Sequence, residues 1–238
     1  MSTYGADITD ALTQFWGSRD AQAARQAATG RVDAGTRGAV TGGGHLDAVG
    51  ELIIETARTH LPSDVTVHTG GGNRNPLTAI AGYVRPTKQW DIVFRRVGAP
   101  IAIIELKSQV GSFGNNANNR AEEAVGNAAD VLSAQKHGLL PRDLWRGYVF
   151  VIEDCPASRG PSTLGDDPRW AMDPAFRNAS YLTRVTMLCD RLVTDGYYDA
   201  AWAVATRQPP DFAWSEPDAR LTGYDRFATK LQEFFRSL

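Results

Sequence analysis

Two apolar segments joined by a short connection are the strongest constraint on how this chain folds. The first, QWDIVFRR, covers residues 89–96, and the second, PIAIIELKSQ, covers residues 100–109. Both are rich in β-branched and aromatic residues, and VGAP joins them, so the pattern predicts a β-hairpin. With Gly98 at the centre of the connection, Asp91 and Glu105 lie opposite each other on one face of the sheet.

Lys107 joins these two carboxylates in the prediction, because side chains two positions apart on a strand share a face. Charged groups on apolar strands need partners or a bound ion. Two carboxylates suit Mg²⁺, which also binds substrate phosphate, and the backbone carbonyl of Leu106 is placed to be a further ligand. In this interpretation the metal polarises a phosphoryl oxygen. Lys107 positions or helps to deprotonate the attacking water, or neutralises charge in the pentacovalent transition state. The alternative is a salt-bridged triad with no catalytic role.

The rest of the chain predicts helices alternating with strands, and therefore a mixed β-sheet flanked by helices. We expect one domain over residues 1–238, with a helical and glycine-rich arm at its N-terminus. Long loops are expected near residues 69–89, 156–176 and 207–222. The predicted helices cover residues 8–28, 45–59, 120–136, 179–194 and 225–236, and the further strands cover 65–68, 148–153 and 200–206.

Bulk properties leave several classes of function open and argue against others. The formal net charge is −2, which neither supports nor excludes binding to nucleic acid. Cys155 and Cys189 have no metal-ligand spacing and are expected to be free thiols. There is no P-loop, HExxH or GxSxG motif. The N-terminus lacks a signal-peptide pattern and no apolar run reaches membrane-spanning length, so we expect a cytoplasmic protein.

Asp91 followed by Glu105-Leu106-Lys107 resembles the PD-(D/E)XK nuclease motif, with Trp90 in place of the proline. Longer segments are more specific: TRGAVTGGGHLD, VRPTKQWDIVF and IIELKSQVGSFGNNANNRAEEAVGNAADVL resemble the XhoI family of type II restriction endonucleases. The similarity is strongest over residues 36–134. After Lys107 the chain reads VGSFGNN where the resemblance leads one to expect VGPSFGNN.

The resemblance implies a restriction-endonuclease-like α/β fold and Mg²⁺-dependent hydrolysis of double-stranded DNA. It implies a homodimer that cuts both strands at the palindrome CTCGAG, within a restriction–modification system whose methyltransferase protects host DNA. Two alternatives stay open. The chain could be a DNA-binding protein with an inactive nuclease fold, or a nuclease of the same fold with a different target.

Candidate DNA contacts follow the catalytic segment and occupy the basic loops before it. Asn and Arg can bond to adenine and guanine in the major groove, and cations in loops can bind phosphates. Asn119 has a competing interpretation as a helix N-cap, with Glu122 completing a capping box. Glu51 is a further metal-ligand candidate, with a solvated helix position as its alternative. The candidate DNA contacts are Asn115, Asn116, Asn118, Asn119, Arg120, Arg37, Arg74, Arg85 and Lys88.

Overall fold

A six-stranded mixed sheet forms the centre of the computed structural model, which describes residues 3–28, 43–70, 75–162 and 171–238. The strand order is β1-β4-β5-β6-β7-β8. The pairs β5–β6 and β6–β7 are parallel, and the other neighbours are antiparallel. The predicted mixed sheet is thus confirmed. The strands are β1 (Val65–Thr69), β2 (Ala79–Ala81), β3 (Thr87–Gln89), β4 (Ile92–Arg96), β5 (Ala99–Gln109), β6 (Trp145–Glu153), β7 (Ala200–Arg207) and β8 (Ala213–Ser215).

Helices cover both faces of this sheet. The longer ones are α1 (Gly5–Ala28), α2 (Asp47–Arg58), α3 (Phe113–Lys136), α5 (Tyr181–Thr194) and α7 (Tyr224–Arg236), with short helices α4 (Pro156–Arg159) and α6 (Ala219–Thr222). One core lies between the sheet and α1, α2 and α7. A second core lies between the sheet and α3 and α5. Strand alternation divides the side chains of each central strand between these two cores.

The hairpin β4–β5 has the predicted register at its catalytic end, but the expected turn is wrong. Ile92 pairs with Ile104 and Val93 with Ile103, as a connection centred on Gly98 requires. The turn itself is a two-residue one over Val97 and Gly98, both with positive φ, which is the twist that hairpins favour. A register shift between Phe94 and Arg95 leaves one residue of β5 unpaired, and the pairing beyond it is the predicted one.

A small hairpin, β2–β3, replaces much of the loop expected near residues 69–89. We call residues 79–89 the flap. The sequence pattern does not reveal the flap, because each strand has only three residues within a segment rich in Gly and Pro. A Cβ at Gly82 would meet the Asp130 carboxylate and come within 2.5 Å of the Arg85 carbonyl oxygen. Only glycine therefore lets the flap approach α3 so closely.

Helix α3 begins at Phe113, seven residues before the predicted start at Arg120. Asn119 is therefore inside the helix, and its predicted role as the N-cap is wrong, together with the capping box to Glu122. Ser112 precedes the helix instead, with positive φ. The buried ring of Phe113 stacks on Tyr181 of α5 and offsets the weak helix propensity of the asparagine-rich turns.

Two other predicted loops also contain regular structure. The segment near residues 156–176 includes α4 and a 3₁₀ turn, and the one near 207–222 includes β8 and α6. Cys155 and Cys189 are free, as expected. Arg37 and Arg74 lie outside the described residues, as does the side chain of Asn115. Within the described part of the chain, every helix is too short or too polar to cross a membrane.

Candidate active site

Glu105 is the centre of a buried cluster of charges on the face of the sheet that α3 covers. Its carboxylate is only 2% exposed, and it forms ion pairs with the ammonium groups of two lysines. Lys107 binds Oε1 from the same strand, and Lys88 of the flap binds Oε2. The shared face of Glu105 and Lys107 was predicted from strand alternation. The second lysine was not predicted to bind there.

Asp91 lies immediately before β4, next to the backbone of the opposite strand. Its Oδ2 accepts a hydrogen bond of 2.7 Å from the backbone N–H of Leu106. The carbonyl oxygen of Asp91 accepts a second one, of 2.8 Å, from the backbone N–H of Gly70. A Cβ at Gly70 would lie 2.8 Å from the Trp90 carbonyl oxygen, so glycine permits this close approach of β1. Asp91 is thus anchored to the strands on both sides.

The pKa values of this cluster differ because the groups are unequally paired. Burial and the nearby Glu105 carboxylate raise the pKa of Asp91 to about 6. Burial alone would also raise the pKa of Glu105, but the two ammonium groups outweigh it and lower that pKa. Burial opposes the charge on Lys107 too, yet Glu105 and Asp91 raise its pKa. At neutral pH Glu105 and Lys107 are therefore ionised, and Asp91 is the group among these three whose pKa lies nearest to neutral pH.

A polar chain through α3 fixes the other side of Glu105. The side-chain amide of Asn127 donates to Glu105 Oε1 over 3.4 Å, and its oxygen accepts from Arg85 over 2.9 Å. Arg85 also pairs with Asp130, 2.9 Å away. Asp130 accepts from the backbone N–H groups of two flap residues, Tyr83 and Val84. This chain ties the flap to the site through the buried side chains of Asn127 and Asp130 and the half-buried Arg85.

Asn127 and Asp130 were not among the predicted site residues, although the helical pattern of α3 contains a signal for them. Both are on the buried face of α3 that also carries Ala124, Ala128 and Val131. Polar residues on such a face need buried partners. The identity of those partners depended on the flap, which the pattern did not reveal.

Glu51 lines a small cleft, of about 170 Å³, that is also lined by Asp91, Asp47 and Leu106. Its side chain is exposed. No group of three or more His, Cys, Asp or Glu residues that could hold a metal occurs in the described ranges. Glu51 therefore shares a cleft with Asp91 without forming a preassembled three-carboxylate site.

The available donors still fit Mg²⁺. This ion is commonly bound through one or two carboxylates, with waters and substrate phosphate filling the other positions. Asp91 and Glu105 supply carboxylates close enough to raise the pKa of Asp91, and repulsion between two buried carboxylates is relieved by a cation. The residues present are therefore suited to a divalent ion completed by DNA.

The predicted DNA contacts occupy several environments. Asn116, Asn118, Asn119 and Arg120 lie on the first turns of α3, directly after the catalytic strand. Asn118 accepts a 2.7 Å hydrogen bond from Arg184, and Arg120 pairs with Glu123. Arg85 and Lys88 were predicted as phosphate contacts in an open loop. In the structure both bind acidic partners instead, and their contacts with DNA stay a prediction.

Comparison with known proteins gives consistent matches over most of the chain. The family model described as restriction endonuclease XhoI matches residues 25–212. The type II restriction enzyme XhoI of Xanthomonas vasicola is 37% identical over 189 residues, which are 78% of this chain and 74% of that protein. The type II restriction enzyme BstVI of Geobacillus stearothermophilus is 37% identical over 177 residues, 71% of this chain and 76% of that protein.

A third relative extends the group to another genus. The type II restriction enzyme AbrI of Azospirillum brasilense is 33% identical over 162 residues, 66% of this chain and 70% of that protein. No solved structure matches this chain significantly. The matched segment contains Asp91, Glu105 and Lys107, and the mixed sheet with helices on both faces is consistent with a restriction-endonuclease-like fold. This chain therefore belongs to the XhoI family of restriction endonucleases.

Proposed function

We propose that this type II restriction enzyme hydrolyses one phosphodiester bond in each strand of duplex DNA at the palindrome CTCGAG, with Mg²⁺ held by Asp91 and Glu105. The observation that carries the proposal is the buried cluster in which Glu105 pairs with Lys107 beside Asp91. Membership of the XhoI family supports the activity, and the resemblance noted in the sequence supports the palindrome.

Each side chain of the cluster has a separate task in this proposal. Asp91 and Glu105 would hold the ion, with the Leu106 carbonyl oxygen as a further ligand. Mg²⁺, when bound, supplies electrophilic polarisation of the phosphate and a more acidic water. Lys107 carries its positive charge beside Glu105, where it would stabilise the negative charge that develops on the phosphate. The hydrogen bond from the Leu106 N–H fixes the direction of the Asp91 carboxylate.

The pairing of Lys107 with Glu105 also agrees with the alternative of an inert salt bridge. The environment of Asp91 favours a catalytic site over an inert salt bridge. Asp91 is buried next to another carboxylate, which helps to raise its pKa, and a neutral asparagine could accept the hydrogen bond from the Leu106 N–H without this cost. A fold kept only for DNA binding would be more stable without this repulsion.

The proposal has consequences for partners. A palindromic target matches the two-fold symmetry of a homodimer, in which each subunit cuts one strand. The enzyme would work in the cytoplasm, beside a methyltransferase that modifies the same sequence in host DNA. Base contacts would come from the asparagines and Arg120 at the start of α3, because these residues directly follow the strand that carries Glu105 and Lys107.

A cleavage assay tests the proposal. Purified protein is incubated with linear DNA containing one CTCGAG site, with Mg²⁺ and with EDTA, and the product ends are sequenced. We expect cutting at CTCGAG only with Mg²⁺, and a loss of at least about 10²–10³-fold in each of Asp91→Ala, Glu105→Ala and Lys107→Ala. Circular dichroism checks that each variant is folded.

The outcomes separate the three interpretations. Binding without cutting would support the inactive DNA-binding protein, and cutting at another sequence would support the different target. Native cleavage by Asp91→Ala would show that the assigned mechanism is wrong.

A further inference from the structure

Lys88 occupies an unusual place for a residue of a surface hairpin. Its ammonium binds Glu105 Oε2, on the side of the carboxylate opposite Lys107. It also donates to the Gln89 carbonyl oxygen over 2.9 Å and lies 4.2 Å from the centre of the Trp90 ring. The side chain is only 15% exposed. The ammonium of Lys88 therefore has a defined binding site, built from Gln89, Trp90 and the catalytic Glu105.

The charges of the site balance in this arrangement. Asp91 and Glu105 contribute two negative charges when both are ionised, and Lys88 and Lys107 contribute two positive charges. A divalent cation added to this cluster would leave an excess of positive charge in a buried place, which is costly. Lys88 also binds one of the two Glu105 oxygens that an incoming ion would use. Metal and Lys88 thus compete for the same carboxylate.

We infer that Lys88 is an exchangeable counter-ion of the active site, which neutralises Glu105 while no metal is bound and moves to a DNA phosphate when metal and DNA enter together. The inference rests on the proposed metal site. It makes Lys88 a positioning residue that couples metal binding to the arrival of DNA.

This exchange requires movement of the Lys88 ammonium group, and the flap backbone stays in place. The flap is fixed to α3 through Arg85 and through the N–H groups of Tyr83 and Val84, all bound by Asp130. The four-carbon stem of lysine can nevertheless redirect its ammonium, which behaves as a compact point charge. A phosphate beside the metal would accept this charge and would cancel the excess that the metal introduces.

This exchange has a thermodynamic consequence. Lys88 weakens metal binding to the DNA-free enzyme, because the metal must displace the Lys88 ammonium from Glu105. Metal binding is stronger on DNA, because a phosphate accepts the displaced ammonium. By linkage, the metal increases DNA affinity by the same factor as DNA increases metal affinity. An enzyme of this kind would hold metal tightly only on its substrate.

The test measures Mn²⁺ binding to DNA-free protein, by electron paramagnetic resonance of the free ion, in wild type, Lys88→Met and Lys88→Arg. We expect Lys88→Met to bind Mn²⁺ roughly tenfold tighter or more, because a positive charge within contact distance is removed. Lys88→Arg keeps the charge and should bind like wild type. Lys230→Met is the matched control, since Lys230 also pairs with a glutamate but at an exposed site.

A second measurement follows the other half of the exchange. DNA affinity is determined with Mn²⁺ on a CTCGAG duplex whose scissile linkages are uncleavable, over a range of salt concentrations. Lys88→Met should reduce the slope of log affinity against log salt by about one, as loss of one phosphate contact requires. Lys230→Met should leave the slope unchanged.

Equal Mn²⁺ affinities in wild type and folded Lys88→Met would overturn the inference and leave the metal site standing. Absence of Mn²⁺ binding in both, with and without DNA, would instead refute the proposed metal site, and the inference would fall with it. If Lys88→Met does not fold, as judged by circular dichroism, Lys88→Gln provides the same comparison.

Discussion

The two faces of the central sheet are built on different physical principles. The face covered by α1, α2 and α7 is packed with apolar side chains such as Phe15, Trp16 and Trp202. The face covered by α3 and α5 is apolar near α5, but near α3 it buries Glu105, Asn127 and other polar groups. The same strand, β5, contributes Ile104 to one face and Glu105 to the other. Neighbouring residues of one strand thus point to a mainly apolar core and to a cluster of buried charges.

This contrast shows how a single strand can carry a catalytic cluster without destabilising the fold. Apolar burial on the first face supplies favourable free energy that does not depend on pH or ions. On the second face, every buried charge costs free energy unless it has a partner. The protein concentrates these charges at one end of β5 and pairs them through the flap. Substitutions on the two faces should therefore have effects that differ in pH dependence and in their influence on cleavage, as well as in the size of the change in stability.

Leu12→Ala should have the largest effect on stability and should affect stability alone. Leu12 is fully buried in the apolar core under α1, so truncation leaves a cavity and should lower the free energy of unfolding by about 2–5 kcal/mol. Urea unfolding measures this change. Cleavage per folded molecule should stay at the wild-type rate.

The control for this substitution is Leu139→Ala, at a residue that is 53% exposed. It should change stability by less than about 0.5 kcal/mol. A large loss of cleavage in folded Leu12→Ala would show that the apolar face also shapes the site.

Asp91→Asn should have the opposite effects, with a gain in stability and a loss of cleavage. Because the folded-state pKa of Asp91 is raised to about 6, the metal-free fold is penalised by this group above that pH. The penalty is absent below the unfolded pKa of about 4 and grows as pH rises from 4 to 6. At pH 8 in EDTA, the substitution should therefore raise the free energy of unfolding by about 1–3 kcal/mol.

Thermal unfolding of Asp91→Asn and wild type at pH 8 and pH 4 checks the sign of this effect. The difference should shrink at pH 4, where the wild-type carboxyl is protonated. Addition of Mg²⁺ should stabilise wild type more than the variant. A variant less stable than wild type at pH 8 in EDTA would contradict the prediction.

Asp130→Asn should give the smallest change, with the opposite dependence on pH. Burial would raise the pKa of Asp130, but the flap N–H groups and Arg85 outweigh it and lower that pKa. Its stabilising contribution is therefore full above the unfolded pKa, near pH 4, and is lost as pH falls through the folded value. At pH 7 the variant should lose about 1 kcal/mol, and the difference should shrink as the pH is lowered to 2.

Urea unfolding at the two pH values measures this effect. Asp64→Asn is the control, because Asp64 pairs with Arg96 at an exposed site, where salt screens the interaction. A loss for Asp130→Asn that persisted unchanged at pH 2 would mean that the charge of Asp130 is not what holds the flap.

The catalytic hairpin could be predicted from sequence because its determinants are local. Apolar runs rich in β-branched and aromatic residues predicted the strands, and the short connection predicted their pairing to within one residue. The expected turn centre at Gly98 was displaced by half a residue, and the register shift after Phe94 compensated for it. Glu105 and Lys107 therefore share a face as predicted, and Glu105 is close enough to Asp91 to raise the pKa of that carboxyl. One step of the prediction, the position of the turn, was wrong.

The flap contacts could not be predicted, because they depend on residues far apart in sequence. Nothing near Lys88 marks Glu105 as its partner, and Arg85 binds Asp130 of a helix whose start was itself misplaced. Helix α3 begins early because Phe113 packs against α5, a tertiary contact that overrides local propensity. Local patterns located the carboxylates and Lys107, and missed Lys88 and the contacts that hold the flap.

The turn at Val97 and Gly98 lies at the far end of the hairpin from the acidic residues. Because strand faces repeat every two residues, lengthening or shortening this tip by whole residue pairs would leave the site untouched. A single inserted residue could be absorbed by another bulge, as the register shift after Phe94 already does. The number of residues between Asp91 and Glu105 can therefore vary in evolution. Lys88, Trp90 and Asp91 lie within one four-residue segment, with no turn between them that could absorb a change in length.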